Sequence, residues 1–157
     1  VNDLRRVIRA LEVYHRSGKP MSEYNTGMRD AALYNPVIFG LTMPRQELYR
    51  RIEKRVDRMM DEGLVDEVKG LLERGCTREM VSMQGLGYKE VIGYLEGEYS
   101  LSEAVELLKR NTRRFAKRQF TWFKRDDRII WMDIHEIGDK DRTADRIVHY
   151  IKLNLKA

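Results

Sequence analysis

Pro36-Val37-Ile38-Phe39-Gly40-Leu41 is a short, almost uninterrupted apolar run. A strand with one wet face alternates apolar and polar residues, whereas a run without alternation reads as a strand buried on both faces, the kind found in parallel sheets. Thr42 and Pro44 follow at once and start a long helix whose apolar stripe is Leu48, Ile52, Val56 and Met59. A second run of the first kind, Ile129-Ile130-Trp131-Met132-Asp133-Ile134, comes about ninety residues later. If the two share a sheet, their connection is a crossover, because a hairpin needs a short turn. The fold class is α/β and predominantly helical.

Helix signals fill the rest of the chain. Asn2 or Asp3 caps a helix carrying Leu4, Val7, Ile8, Leu11 and Val13, which Gly18 and Pro20 end. Gly63 breaks the long helix, and a further one runs from Leu64 to Arg74 and stops at Gly75. A loop around Cys76 to Gly87 leads into a shorter helix through Leu95, with Gly97 as its stop. Ser100 and Glu103 form a capping-box pattern that opens another helix, and Thr143 to Leu155 reads as the closing one. Two strands make a poor sheet, since a buried strand needs neighbours on both edges. With Val1 as the first residue, this predicts a carboxy-terminal part of an α/β protein whose other strands lie on an absent segment; a processed or trimmed chain is the alternative.

Composition narrows the chemistry. The 157 residues are 42% hydrophobic and 35% charged, enough for one sizeable core. No apolar run approaches the roughly 20 residues that cross a bilayer, and no charged-then-apolar signal segment opens the chain, which predicts a cytoplasmic protein with no membrane partner. The single cysteine, Cys76, excludes an internal disulfide framework and a cysteine-based zinc site, and His15, His135 and His149 have no metal-ligand spacing.

Charge is more telling. The chain carries +5, yet residues 109–128 alone hold nine cations against two acids, +7. So local an excess points to a polyanion, nucleic acid or a phosphorylated ligand. Wound at 100° per residue, residues 110–125 divide into two sides. Phe115, Ala116, Gln119, Phe120, Trp122 and Phe123 form an aromatic side, and Arg110, Arg113, Arg114, Lys117, Arg118, Lys124 and Arg125 a cationic one. A solvated face over an ordinary core is one reading. The absence of interleaved acids removes the usual salt-bridge explanation and favours phosphate contact, to which the guanidinium fork is suited. Trp122 and Trp131 read as core residues rather than base-stacking platforms.

Two weaker signals accompany it. Gln84-Gly85-Leu86-Gly87-Tyr88-Lys89 sets two glycines before a helix start, where free N–H groups can meet an anion or where the chain simply turns tightly. Arg51, Arg55 and Arg58 share one helix face, with Glu47, Glu53, Asp57, Asp61 and Glu62 close enough to make it an ordinary surface.

Three segments in order carry a family resemblance: Asn2-Asp3-Leu4-Arg5-Arg6 with Arg9-Ala10-Leu11-Glu12, then Gly85-Leu86-Gly87-Tyr88-Lys89-Glu90, then Arg113-Arg114-Phe115-Ala116-Lys117-Arg118-Gln119-Phe120-Thr121-Trp122-Phe123. Together they resemble the carboxy-terminal half of a bacterial tRNA dimethylallyltransferase, over essentially the whole chain. The resemblance implies a fold like the P-loop kinases with a helical insertion, whose end is residues 1–35 and whose α/β core, with its tRNA-binding helices, continues in residues 36–157. It implies transfer of a dimethylallyl group from dimethylallyl diphosphate to N6 of the adenosine 3′ to the anticodon, releasing diphosphate, by a monomer that uses Mg2+ held mainly by the amino-terminal half.

By family position Arg55 is the catalytic arginine that binds the diphosphate. The tRNA anticodon stem-loop is expected at Asn2, at Ser82, Met83, Gln84, Gly85, Gly87 and Tyr88, and at Thr112, Arg113, Arg114, Lys117, Arg118, Gln119, Thr121 and Trp122. The family's Gly-rich loop and catalytic aspartate have no counterpart here, so the chain alone is expected to be inactive. Two other readings stand beside this one: a stand-alone RNA-binding helical module, and an isopentenyltransferase acting on free adenylate, against which the width of the cationic face argues.

Overall fold

The computed structural model describes residues 3–26, 36–138 and 140–154. The chain divides into two compact units, Val1–Val37 and Ile38–Ala157.

In the first unit, helix α1 (Leu4–Ser17) starts where the Asp3 side chain accepts the Arg6 N–H at 3.3 Å, and ends at Gly18, whose φ of 67° a side chain would resist. The expected stripe of Leu4, Val7, Ile8 and Leu11 is present but exposed within this unit. A short helix α2 (Met21–Thr26) follows.

The second unit is a helical bundle inserted between two parallel strands. Strand β1 (Ile38–Thr42) leads to α3 (Arg45–Asp61), α4 (Leu64–Glu73), a 3-10 turn (Val81–Gln84), α5 (Tyr88–Leu95) and the long α6 (Leu101–Phe123). Strand β2 (Ile129–Asp133), a one-turn α7 (Ile134–Ile137) and α8 (Lys140–Asn154) complete it. The strands pair in parallel with Ile38 opposite Ile129 and Gly40 opposite Trp131, so the crossover expected from the sequence is present.

Both sheet faces carry a helix. Phe120 of α6 stacks on Trp131 at 5.7 Å, and Tyr150 of α8 meets Phe39 edge-on at 5.5 Å. Gly40 makes room for the first contact, since a Cβ there would stand 2.7 Å from Ile129 Cγ2 and Trp131 Cε3. The strands are nevertheless only half-buried, and Leu41 is exposed, which corrects the expectation of full burial. Among the described residues the sheet has two strands, so each keeps an open edge.

The ends of these elements also move from their expected places. Pro36 and Val37 lie outside β1, and Thr42 is its last residue rather than a helix start. Ile134 belongs to α7 because the Asp133 carboxylate accepts the His135 N–H at 2.8 Å and turns the chain out of the strand. Helix α8 begins at Lys140, three residues before the expected Thr143.

The core lies inside the bundle. Val56, Leu64, Val68, Met83, Val91, Ile92 and Leu108 pack together, with Met59, Leu71, Leu86 and Cys76 around them. Each buried side chain of this size contributes roughly 1.5–3 kcal/mol. Surface ion pairs contribute at most about 1 kcal/mol each, so this cluster holds α3, α4, α5 and α6 together.

Candidate nucleic-acid interface

Helix α6 passes through two environments. At its start the Glu103 carboxylate accepts the Ser100 N–H at 2.8 Å and the Ser100 hydroxyl accepts the Glu103 N–H at 3.3 Å, the capping box read from the sequence. Ala104 and Leu108 are buried in the bundle, and two ion pairs of 2.7 Å tie this half to α3, Lys109 to Asp57 and Arg113 to Glu53. Asp57 holds the Lys109 pKa above its ordinary value.

Beyond Arg113 the helix leaves the bundle and lies on the sheet through Phe120. Arg110, Arg114, Lys117, Arg118, Lys124 and Arg125 are exposed, and none pairs with an acid among the described residues. The expectation of seven unpaired cations is corrected at Arg113, whose partner Glu53 lies sixty residues back on another helix, beyond the reach of a local charge count. The expected aromatic side is only partly turned inward. Phe115, Trp122 and Phe123 are exposed, and Trp122, at 68%, is not a core residue; it borders a shallow hollow with Lys117, Arg118, Thr121 and Arg125. Gln119 is exposed, while the Thr112 and Thr121 hydroxyls donate to the carbonyls of Leu108 and Lys117 at 2.8 and 3.0 Å.

A concavity of about 340 Å³ opens at the carboxyl end of β1, lined by Thr42, Arg45, Tyr49, Lys117 and Lys124 and by no acid. Ligands of parallel α/β sheets sit beyond the carboxyl ends of the strands. Three cations there suit an anionic group, and the Arg45 guanidinium is steadied by donating to the Tyr49 hydroxyl at 2.9 Å. Sequence reasoning missed Arg45 and Tyr49. Their signal was an arginine in the first turn of a helix directly after a strand.

Of the two readings of the Gly85–Gly87 segment, the structure takes the tight turn into α5. Gly85 has an ordinary φ of −62°, and only Gly87, at φ 102°, needs to be glycine. Nor is the start of α5 open to an anion at Gly87, because the N–H there donates to Glu90 Oε2 at 2.9 Å. The other Glu90 oxygen accepts from Asn111 Nδ2 of α6 at 2.8 Å. Met83 is 1% exposed and belongs to the core, which leaves it no surface for the expected tRNA contact, whereas Ser82 and Gln84 are exposed and the Gln84 amide donates to the Arg78 carbonyl. The Tyr88 hydroxyl donates to Glu67, whose carboxylate raises the tyrosine pKa.

Arg55 is exposed on α3, and among the described residues no acid pairs with it; its neighbour Arg51 pairs with Glu47 at 3.1 Å and lowers that carboxyl's pKa. One helical turn on, Met59 Cε lies 3.7 Å from where a Cβ on Gly87 would stand. Arg55 therefore sits on the flank of α3 that leads to the glycine turn, away from Glu53 and Asp57, which face α6. It does not line the concavity at β1. Asn2 lies outside the described residues. Among those residues no group of three or more His, Cys, Asp or Glu is placed to hold a metal ion, and no helix is long and apolar enough to cross a membrane.

Known proteins are similar to this chain in sequence and fold. The chain is 55% identical over 150 residues to a tRNA dimethylallyltransferase of Natranaerobius thermophilus, covering 96% of this chain and 45% of that protein. The crystal structure of a full-length tRNA isopentenylpyrophosphate transferase of Bacillus halodurans matches with a TM-score of 0.73 at 44% identity, over 99% of this chain and 46% of that one. A eukaryotic dimethylallyltransferase acting on tRNA matches with a TM-score of 0.76 at 26% identity, over 98% and 41%. The chain spans about half the length of the curated relatives it matches. The family model described as IPP transferase covers residues 1–126, taking in α1, the bundle, the glycine turn and the whole basic helix, and with relatives this close over nearly all its length the chain belongs to the IPP transferase family.

Proposed function

We propose that the chain is the carboxy-terminal part of a tRNA dimethylallyltransferase, a transferase that moves the dimethylallyl group of dimethylallyl diphosphate to N6 of the adenosine 3′ to the anticodon and releases diphosphate. The observation that carries this is the exposed face of α6 and the turn after it, where six cations pair with no acid among the described residues beside an exposed tryptophan, in a chain of this family. Backbone phosphates supply most of the affinity in RNA binding, and unpaired arginines and lysines are what they meet. The anticodon stem-loop lies along Thr112 to Trp122 and reaches Ser82 to Tyr88, with its adenosine turned out of the stack, because an enzyme acting on a base needs its edge free.

An exocyclic adenine amine is a weak nucleophile, so the leaving diphosphate has to be stabilised as charge develops on it. Arg55 takes that role, an exposed arginine that pairs with no acid among the described residues. In this reading residues 1–35 end a helical insertion, and residues 36–157 continue a P-loop-kinase-like core whose phosphate loop and general base lie on the part of the relatives that this chain does not span. Magnesium accompanies the diphosphate in such a reaction. The donor set among the described residues does not fit a resident metal, and in this reading the ion is held mainly by the part of the relatives that this chain does not span. The protein acts as a cytoplasmic monomer.

The test is to incubate the full-length protein with an anticodon stem-loop, labelled dimethylallyl diphosphate and magnesium. Labelled N6-modified adenosine is expected from it, and none from the 157-residue chain alone. Full-length protein that binds the stem-loop without labelling it would leave a stand-alone RNA-binding module as the function.

A further inference from the structure

We propose that Glu90 is a positioning residue for RNA, its buried carboxylate locking the Gly85–Gly87 turn to helix α6 so that the two RNA-facing segments keep one relation to each other. This rests on the reading of Ser82–Tyr88 and Thr112–Trp122 as the tRNA surface. Glu90 is 3% exposed, and burying a carboxylate is unfavourable unless both its oxygens find partners. Here they do: Oε2 accepts the Gly87 N–H at 2.9 Å, and Oε1 accepts Asn111 Nδ2 at 2.8 Å with the Lys89 ammonium 3.7 Å away. The Tyr99 hydroxyl fixes the same residue from behind by donating to its carbonyl at 3.0 Å.

Capping a helix does not require this burial. Glu103 performs the same service for Ser100 at the surface. What the interior position adds is the second bond, and its partner Asn111 immediately precedes Thr112, where the RNA-facing stretch of α6 begins. A carboxylate with one oxygen on each segment transmits any shift of the turn to the helix. Glu90 touches neither substrate nor donor and acts through the turn and Asn111.

Exchange of donor and acceptor tests this in the full-length protein. Asn111→Asp sets two carboxylates against each other and is expected to raise the KM for an anticodon stem-loop about tenfold or more, leaving the KM for dimethylallyl diphosphate unchanged. The double variant Glu90→Gln/Asn111→Asp rebuilds the bond in the opposite sense and is expected within about threefold of wild type. Asn111→Ala, which only removes the bond, serves if the aspartate variant does not fold. Val68→Ala, in the core of the same bundle, gives the control for lost stability, with a lower Tm and a stem-loop KM that rises by no more than about twofold. A stem-loop KM within twofold of wild type in the folded Asn111 variant, no recovery in the double variant, or an equal rise in Val68→Ala would overturn the proposal. Wild-type protein that labels no adenosine would instead count against the transferase reading.

Discussion

The two halves of α6 are made of the same residue types, yet only the first ties cations into the fold. In the first, Lys109 and Arg113 reach across to Asp57 and Glu53 and help seat the helix on α3. In the second, Arg114, Lys117 and Arg118 project from an exposed face and pair with no acid among the described residues. Arg113 and Lys117 are one turn apart. A place in a basic run therefore does not say how the fold uses a cation: Arg113 is spent on an internal ion pair, and Lys117 keeps its charge for a partner from outside. The same criterion separates Arg55 from Arg51 on α3, where the second is held by Glu47 and the first by no acid among the described residues.

The harshest trial of this contrast is Arg55. Losing a guanidinium aimed at the charge developing on diphosphate removes about 2–4 kcal/mol of transition-state stabilisation, a hundredfold or more in rate. Single-turnover rates of full-length Arg55→Ala with saturating tRNA and donor measure it, and Arg55→Lys should recover only part, since an ammonium lacks the two-pronged geometry. Near-normal rates would place the diphosphate elsewhere, and the concavity lined by Arg45, Lys117 and Lys124 becomes the next place to look.

A smaller effect is expected on the second half of α6. Each phosphate contact adds about 0.7–0.9 to the slope of log affinity against log salt, so the double change Lys117→Ala with Arg118→Ala should reduce that slope by roughly 1.5 for an anticodon stem-loop. Donor affinity should hardly move. An unchanged slope removes this face from the RNA interface and leaves its cations as solvated charge.

Much of this was legible in the sequence because it is local. The Ser100–Glu103 box, the stops at Gly18, Gly63 and Gly75 and the two strands are written in neighbouring residues, and so are the family's strings. What escaped depends on residues far apart in the chain. Arg113 finds Glu53 across the bundle, Asn111 finds Glu90 twenty-one positions back, and Trp122 is exposed because the inward stripe of the bundle half runs on past the bundle's end. Burial of Glu90 had no sequence signal beyond an acid three residues after a glycine. The half-buried strands were misread for a related reason: an apolar run reports what a strand suits, while burial depends on the neighbours it has.

The mildest expectation concerns the turn after α6, where cations are again neutralised. Asp126 accepts from the Arg128 guanidinium at 2.6 and 2.8 Å and from its N–H at 3.1 Å, which holds the carboxyl at about 2 against an ordinary 3.8. A carboxyl depressed in the folded chain contributes stability above pH 3.8, and that contribution disappears as pH falls through about 2. Carboxyl chemical shifts followed by NMR between those values give the midpoint directly. Titration at the ordinary value would mean that Arg128 is as unpaired in solution as Lys117.

The parallel pairing of β1 with β2 ties the sheet to the health of the bundle. Eighty-six residues lie between Thr42 and Ile129, and bringing the ends of so long a flexible segment together opposes pairing by about 4 kcal/mol by chain statistics. Folded, α3 through α6 act as a rigid tether that delivers Ile129 beside Ile38 at high effective concentration. Damage to the cluster around Val56 and Val68 is therefore felt by strands that touch neither residue, and by the stack of Phe120 on Trp131 that orients the far end of α6.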